Sequence, residues 1–273
     1  MREERPKTVP TQLKVAAVVP AYNEERRIHV VLKALADNPE ITEIIVVSDG
    51  STDRTYEVAA AMPKVRAIQL PVNKGKGGAM LAGAQMTDAD VLVFFDADLT
   101  GLTAAHVQKL IAPVSSGKHD MSTGVLYGAR YLTDIAQFFS PGITGQRSIR
   151  RDVFLEIPGL ADVGYGIELA INYYVWHHGY SCTRVYLKGV SHPMKEEKLG
   201  LIAGVISRCR MYDQMLRFRV SYELHGRPPI AKDQIKITKC EEEIVADRKK
   251  NLFFATLGVG LLAALIALFI GRR

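Results

Sequence analysis

Cysteine is scarce in this chain. Three occur in 273 residues, Cys182, Cys209 and Cys240, odd in number and far apart. Such spacing builds neither a disulfide framework nor a CxxC zinc site, and it fits a reducing compartment with cysteines used for packing. Charge is modest as well, at 23% of residues against 48% apolar. That balance excludes a disordered or fibrous chain and supplies enough apolar material for one large globular domain. No apolar run followed by a small-residue cleavage site opens the sequence MREERPKTVPTQLK, so a secretory signal peptide is not expected. The formal net charge is +6, and the excess of base falls in residues 141–273.

One long hydrophobic run is present. Leu252 to Ile270 is uncharged and apolar on every face, bracketed by Arg248, Lys249 and Lys250 before it and Arg272 and Arg273 after it. As a helix it would span roughly 28 Å, about one hydrocarbon core. A buried core helix is the alternative, but the basic flanks favour a transmembrane anchor over 251–271, with the bulk of the chain on the cytoplasmic face of the cell membrane.

From Lys14 to Thr123, short apolar runs rich in β-branched residues (15–19, 43–47, 65–70, 91–95) alternate with helical patterns such as Glu24 to Ala36 and Ser51 to Ala61. Continuous apolar strands between helices predict an α/β domain with a parallel sheet covered on both faces. Ligands of such sheets bind across the carboxyl ends of the strands. The informative residues are therefore those that follow each strand.

After the first strand stands Pro20-Ala21-Tyr22-Asn23-Glu24-Glu25, and after the second Ser48-Asp49-Gly50-Ser51-Thr52-Asp53. Asp49 is placed to accept from a base or ribose hydroxyl, and Ser51 or Thr52 to cap the next helix; turns and caps alone are the plainer reading. After the third strand, Asn73-Lys74-Gly75-Lys76-Gly77-Gly78-Ala79 opens a helix with glycines and two ammonium groups. This suits a phosphate at a helix N-terminus, without the GxxxxGK[ST] spacing of a Walker loop. The fourth strand ends in Phe94-Phe95-Asp96-Ala97-Asp98. Two carboxylates at the end of an apolar strand call for a balancing cation, and one Mg²⁺ or Mn²⁺ bridged to a diphosphate supplies it.

These four motifs, in this order and spacing, resemble the glycosyltransferase family 2 core of the GT-A fold over roughly residues 14–225, a nucleotide-diphospho-sugar transferase fold. The resemblance implies a metal-dependent enzyme, a hexosyltransferase that moves a sugar from a nucleotide-sugar donor, UDP- or GDP-linked, with inversion at the anomeric carbon. Pro20, Tyr22, Glu24 and Asp49 would hold the nucleoside, Lys74 or Lys76 would lie near the donor, and Asp96 and Asp98 would serve the metal and diphosphate. Many relatives have two acidic residues where this chain reads Ser48-Asp49, which leaves Asp49 alone for the base or ribose.

The acceptor half is expected over 124–225. Thr144 to Arg151 resembles the segment before the acceptor helix of polyprenyl-phosphate sugar transferases, which implies that Arg147, Arg150 and Arg151 meet an anionic acceptor; guanidinium groups bind phosphate bidentately. Exposed arginines at a helix start are the alternative. Glu168, in Gly164-Tyr165-Gly166-Ile167-Glu168, is a general base or a helix N-terminal charge, and its match to the family's acidic position implies a catalytic role beside Asp98. His192 follows an expected strand, Thr183 to Leu187. Glucosyl-phosphoglycerate synthases carry a similar histidine, which implies a third metal ligand with Asp96 and Asp98.

Further on, apolar residues from Ile202 to Val220 fall within about 120° of a helical wheel, with Arg208, Arg210, Arg217 and Arg219 at the edges and Asp213 inside. This fits a helix lying in a headgroup layer, or one packed on the catalytic domain. Residues 226–250 read as a linker and 1–13 as a tail. The expected acceptor is a membrane lipid, a polyprenyl phosphate; alternatives are a soluble anion such as phosphoglycerate or a noncatalytic nucleotide-binding scaffold. A nucleotidyltransferase would need a glycine-rich loop after strand one, which this chain lacks. No nucleic-acid partner is expected, and self-association stays open.

Overall fold

The computed structural model describes residues 13–128, 144–162 and 166–192. The chain divides into two units, Met1–Gln234 and Ile235–Arg273, and every described residue belongs to the first. The expected transmembrane run, the arginine-edged stripe, the linker and the N-terminal tail lie outside the described residues. Among the described residues, no helix is long and apolar enough to cross a membrane.

Four apolar runs become the strands β1 (Val15–Ala21), β2 (Ile41–Ser48), β3 (Val65–Gln69) and β4 (Val91–Phe94), all mutually parallel where they pair. Between them lie the helices α1 (Ile28–Ala36), α2 (Thr55–Ala60) and α3 (Gly75–Gln85). Both α1 and α2 start later than their sequence patterns suggest. The carbonyl of Glu24 accepts the N–H groups of Arg27 and Ile28, so the chain turns once before α1 becomes regular. Then follow α4 (Ala104–Ser115), β5 (Met121–Tyr127), β6 (Arg147–Arg150), α5 (Arg151–Leu155), α6 (Ile167–His177) and β7 (Cys182–Lys188).

The seven strands form one sheet in the order β3-β2-β1-β4-β6-β5-β7. It is mixed. β6 runs antiparallel to both β4 and β5, whereas β5 and β7 are parallel. The parallel pairing expected of the four apolar runs holds for β1 to β4, and the reversal begins with β6. The reversal matters for the site, because Arg147 pairs with Phe94 and Arg150 with Val91. The start of β6 is thereby brought to the carboxyl end of β4, and its far end points away.

Alternation of side chains across the strands divides the apolar core between two faces. Val15, Ala17, Val19, Ile44, Val46, Val91 and Val93 pack under α1, α2 and α4. Ala16, Val18, Ile45, Val47, Leu92, Phe94 and Ile149 pack under α3, α5 and α6. The glycines of α3 permit close docking. A Cβ on Gly83 would stand 2.4 Å from Val18 Cγ1, and one on Gly77 would stand 2.0 Å from the carbonyl oxygen of Leu160.

Candidate active site

The carboxyl ends of β1, β2 and β4, the start of α3, the approach to β6, the first turn of α6 and the loop after β7 meet at one edge of the sheet. The loops after β1 and β2 are stitched together. Asn23 adopts φ 56°, a left-handed conformation that asparagine tolerates, and its Oδ1 accepts from the backbone N–H of Thr52. In return Ser51 Oγ accepts from the N–H of Asn23, and Thr55 Oγ1 accepts from that of Glu24. Asp53 accepts from the N–H groups of Glu25 and Thr55 and from the Thr55 hydroxyl. Its burial opposes ionisation, but these hydrogen bonds outweigh it and hold the carboxyl below the usual range. Ser51 and Thr52 thus tie loop to loop and do not cap α2, whose start has no side-chain cap.

Asp49 is buried and accepts from the N–H of Lys74 at 2.7 Å, while its carbonyl accepts from the Asn73 amide at 3.1 Å. Gly50 makes this approach possible. It has φ +67°, and a Cβ there would lie 2.5 Å from the nitrogen of Asn73. Asp49 therefore fixes the phosphate-type loop before α3, whereas Tyr22 is half exposed at the same edge and Lys74 points to solvent.

The centre of the site is a chain of ions. Lys76 Nζ lies 2.6 Å from Asp96 Oδ1 and 2.7 Å from Glu168 Oε1. All three side chains are largely buried, at 27%, 19% and 12% exposure. Burial disfavours the Lys76 charge, yet the two carboxylates outweigh it and raise its pKa above the usual value. Asp96 moves the other way: burial raises it, and Lys76 with His192 lowers it further, so its net shift is downward.

The segment before β6 closes over this chain. Gln146 donates from Nε2 to Asp96 Oδ2 at 2.8 Å, and its Oε1 accepts from the Thr144 hydroxyl. A Cβ on Gly145 would lie 2.3–2.5 Å from both Asp96 carboxylate oxygens and from Lys76 Nζ. Arg147 is fully buried and donates to the Thr144 carbonyl at 2.6 Å and to Asn172 Oδ1 at 3.4 Å, with its Nε unpartnered. Burial lowers its pKa, partly offset by the nearby charges of Glu168, Cys182 and Asp96.

On the other side of Asp96, His192 Nδ1 lies 3.1 Å from Asp98 Oδ1 and its Nε2 lies 3.6 Å from Asp96 Oδ2. Burial would lower the imidazole pKa, but the hydrogen bond to Asp98 and the two carboxylate charges raise it overall. The histidine is held there by a latch between distant loops. Thr100 and Ser191 exchange backbone hydrogen bonds at 2.9 and 3.1 Å, and their hydroxyls lie 3.1 Å apart. A Cβ on Gly101 would meet the Gly189 carbonyl oxygen at 2.3 Å, so only glycine lets the loops approach this closely.

The donor set of Asp96, Asp98 and His192 has the chemistry for Mg²⁺ or Mn²⁺, two carboxylates and one imidazole. As it stands the imidazole hydrogen-bonds Asp98 and lies at ion-pair distance from Asp96. Among the described residues, no three His, Cys, Asp or Glu side chains are grouped around a common point. The residues fit the ion by type, and a bound ion would replace the imidazole's hydrogen bond to Asp98.

Of the residues singled out from sequence, Pro20, Tyr22, Glu24, Asp49, Lys74, Lys76, Asp96, Asp98, Glu168 and His192 all lie at this edge. Arg147 reaches it from below as a buried group, not from an exposed helix start. Arg150 and Arg151 do not belong to it. Arg150 pairs with Asp120 and Asp152, and Arg151 Nε donates to the Ala84 carbonyl. Gln146, Gly145 and the Thr100–Ser191 latch carry no individual signal in the sequence, because each acts through a partner distant along the chain; Asn23 is legible as part of its motif, but not as the residue that ties the two loops.

Residues 16–161 match Glycosyl transferase family 2, and the chain belongs to that family. Among curated proteins, it is 41% identical over 101 residues to a dolichyl-phosphate beta-glucosyltransferase of Drosophila melanogaster, covering 32% of this chain and 31% of that one. It is 32% identical over 113 residues to glucosyl-3-phosphoglycerate synthase of Mycobacterium tuberculosis, covering 38% and 35%. These matches span about a third of the relatives' own length. A crystal structure of the latter synthase with Mn²⁺ and UDP-glucose superposes with a TM-score of 0.58 at 24% identity, covering 74% of this chain and 80% of that one. This likeness establishes the α/β fold of the GT-A type.

Proposed function

We propose that this protein is an inverting glycosyltransferase that moves a sugar from a nucleotide sugar to a membrane lipid, a polyprenyl phosphate. The observation that carries the reading is the convergence of Lys76, Asp96, Asp98, Glu168 and His192 at the carboxyl edge, beside the loop organised by Asp49. Its anionic and cationic groups are those a diphosphate leaving group and a divalent ion require. The dolichyl-phosphate acceptor in the names of curated relatives supports the lipid phosphate.

In this reading Tyr22 and the Asp49 loop cradle the nucleoside, and the start of α3 with Lys74 and Lys76 meets the diphosphate. Asp98, Asp96 and His192 would hold a divalent ion, whose charge would offset that developing on the leaving diphosphate. The acceptor oxygen forms a bond to the anomeric carbon as the bond to the nucleoside diphosphate breaks. A phosphate monoester is ionised near neutral pH and attacks without losing a proton. A hydroxyl acceptor would pass its proton to Glu168. The run 252–270 tethers the protein to its lipid substrate in the cell membrane, with the catalytic domain on the cytoplasmic side.

A second reading keeps the chemistry and makes the acceptor a soluble anion such as phosphoglycerate. The fold likeness to glucosyl-3-phosphoglycerate synthase favours it. One experiment separates the two: the full chain is incubated with radiolabelled UDP- and GDP-sugars, with membrane lipid extract or with phosphoglycerate, and extracted with organic solvent. Label in the organic phase only when lipid is supplied supports the first reading. Label confined to water with phosphoglycerate supports the second, and no nucleotide release from any donor rejects both.

A further inference from the structure

Lys76 occupies a position that sits uneasily with simple phosphate binding. Its ammonium is bonded to Asp96 at 2.6 Å and to Glu168 at 2.7 Å, linking α3, the end of β4 and the first turn of α6. Both oxygens of Asp96 are engaged. Lys76 takes Oδ1 and the Gln146 amide takes Oδ2, and the backbone at Gly145 packs against carboxylate and ammonium together. Isolated carboxylates this buried are costly, so positive charge close to Asp96 and Glu168 is stabilising. In this structure Lys76 touches both, while His192 lies near Asp96 and Arg147 near the pair.

A divalent ion approaching Asp96 therefore meets a site already neutralised by a covalently attached competitor. A diphosphate changes the competition. Its oxygens are strong acceptors at the start of α3, where Lys76 is rooted one residue from the helix N-terminus. An ammonium drawn to them leaves Asp96 and Glu168 short of positive charge.

We infer that Lys76 is the counter-ion of Asp96 and Glu168 before the donor binds, surrendered by them to the donor's diphosphate, so that nucleotide and divalent ion bind as one cooperative event. The inference rests on the donor reading above and adds its order: the metal is bound poorly until the diphosphate arrives, and Glu168 is unmasked for the acceptor side only then. Thermodynamic linkage makes the coupling reciprocal, so Mn²⁺ must tighten UDP binding by the same factor as UDP tightens Mn²⁺ binding.

The test is Mn²⁺ titration of the full chain, with free Mn²⁺ read by electron paramagnetic resonance, with and without UDP, in wild type, Lys76→Met and Lys76→Gln. In wild type UDP should raise Mn²⁺ affinity on the order of 10- to 100-fold. In the two variants nucleotide-free affinity should rise about 10-fold and the gain from UDP should shrink below about 3-fold, within the usual span of coupling energies. Mn²⁺ should also raise the melting temperature of the variants more than that of wild type, because it replaces the missing ammonium. Variants that bind Mn²⁺ no better than wild type without UDP, or that keep the full gain from UDP, overturn the inference. Nucleotide release by wild type in excess chelator, measured on the same sample, overturns the metal-dependent reading itself.

Discussion

The two ends of β6 carry arginines in opposite circumstances. Arg147, at the carboxyl edge, is fully buried, bonded to a backbone carbonyl and an amide, and close to Glu168 and Asp96. Arg150 lies three residues on, roughly 10 Å along the strand, and is paired with Asp120 at 3.0 Å and with Asp152, with about a third of its side chain exposed. The same residue type thus serves a pre-organised electrostatic site at one end and an ordinary surface ion cluster at the other. Ions at the carboxyl edge are bonded to one another at 2.6–3.1 Å and largely shielded from water. Ions at the opposite edge are screened by water and interchangeable.

If the carboxyl edge is the chemical edge, the deepest loss comes from Asp98. Asp98→Ala removes the carboxylate that faces His192 at 3.1 Å, and turnover of a nucleotide sugar should fall on the order of 10³-fold. Melting temperature should change little, since the group stands at a strand end and not in the core. Chelation should silence wild type equally. Turnover that survives both treatments would make the two ends of β6 equivalent for catalysis.

A finer probe is Gly145→Ala. No positive φ is required there, but the new methyl would lie 2.3–2.5 Å from the Asp96 carboxylate and the Lys76 ammonium. The ion chain must shift, and donor turnover should drop by roughly 10- to 100-fold, the scale of a small misplacement in a pre-organised site. Circular dichroism should show an unaltered fold. A variant with native turnover would mean that the approach to β6 need not close over Asp96 and Lys76.

Next in size, and measured in stability, is Arg147→Met. It deletes a buried guanidinium and leaves the Thr144 carbonyl unpaired and Glu168 short of a neighbouring positive charge, at a cost of about 3 kcal/mol in denaturant unfolding. Donor KM should change more than kcat if Thr144 to Gln146 loosen against Asp96. An acceptor-specific rise in KM, with stability untouched, would restore the phosphate contact that the sequence pattern implies for this arginine.

Much of the carboxyl edge is legible without coordinates because buried parallel strands read as unbroken apolar runs, and polar residues that interrupt them at the ends stand out. Asp49, Lys76, Asp96 and Asp98 are visible for that reason. β6 is hidden for the converse reason. Arg-Ser-Ile-Arg has neither an apolar run nor an alternation that distinguishes it, and its strand is dictated by pairing with β4 and β5. Because the reversal of β6 is a tertiary fact, the sequence pattern groups Arg147, Arg150 and Arg151 as one set, whereas the antiparallel strand sends them to two ends. His192 is legible as a residue, but the latch that aims it joins Thr100 to Ser191 across 91 positions, beyond any local pattern.

The smallest effect belongs to Arg150→Ala. Each of its ion pairs is partly exposed, and such pairs contribute about 0–1 kcal/mol, less in high salt. Asp120 also accepts from the backbone N–H and the hydroxyl of Ser181 at 2.8 Å, so it keeps partners when the guanidinium is gone. The variant should lose at most about 1 kcal/mol in urea unfolding at low ionic strength, and the difference should narrow in 1 M salt. Acceptor KM and kcat should match wild type within about twofold, because Arg150 pairs with Val91 at the far end of β4 while the reacting groups follow Phe94. A substantial rise in acceptor KM would place acceptor contacts at both ends of β6, and the distinction between a chemical edge and a structural edge would fail.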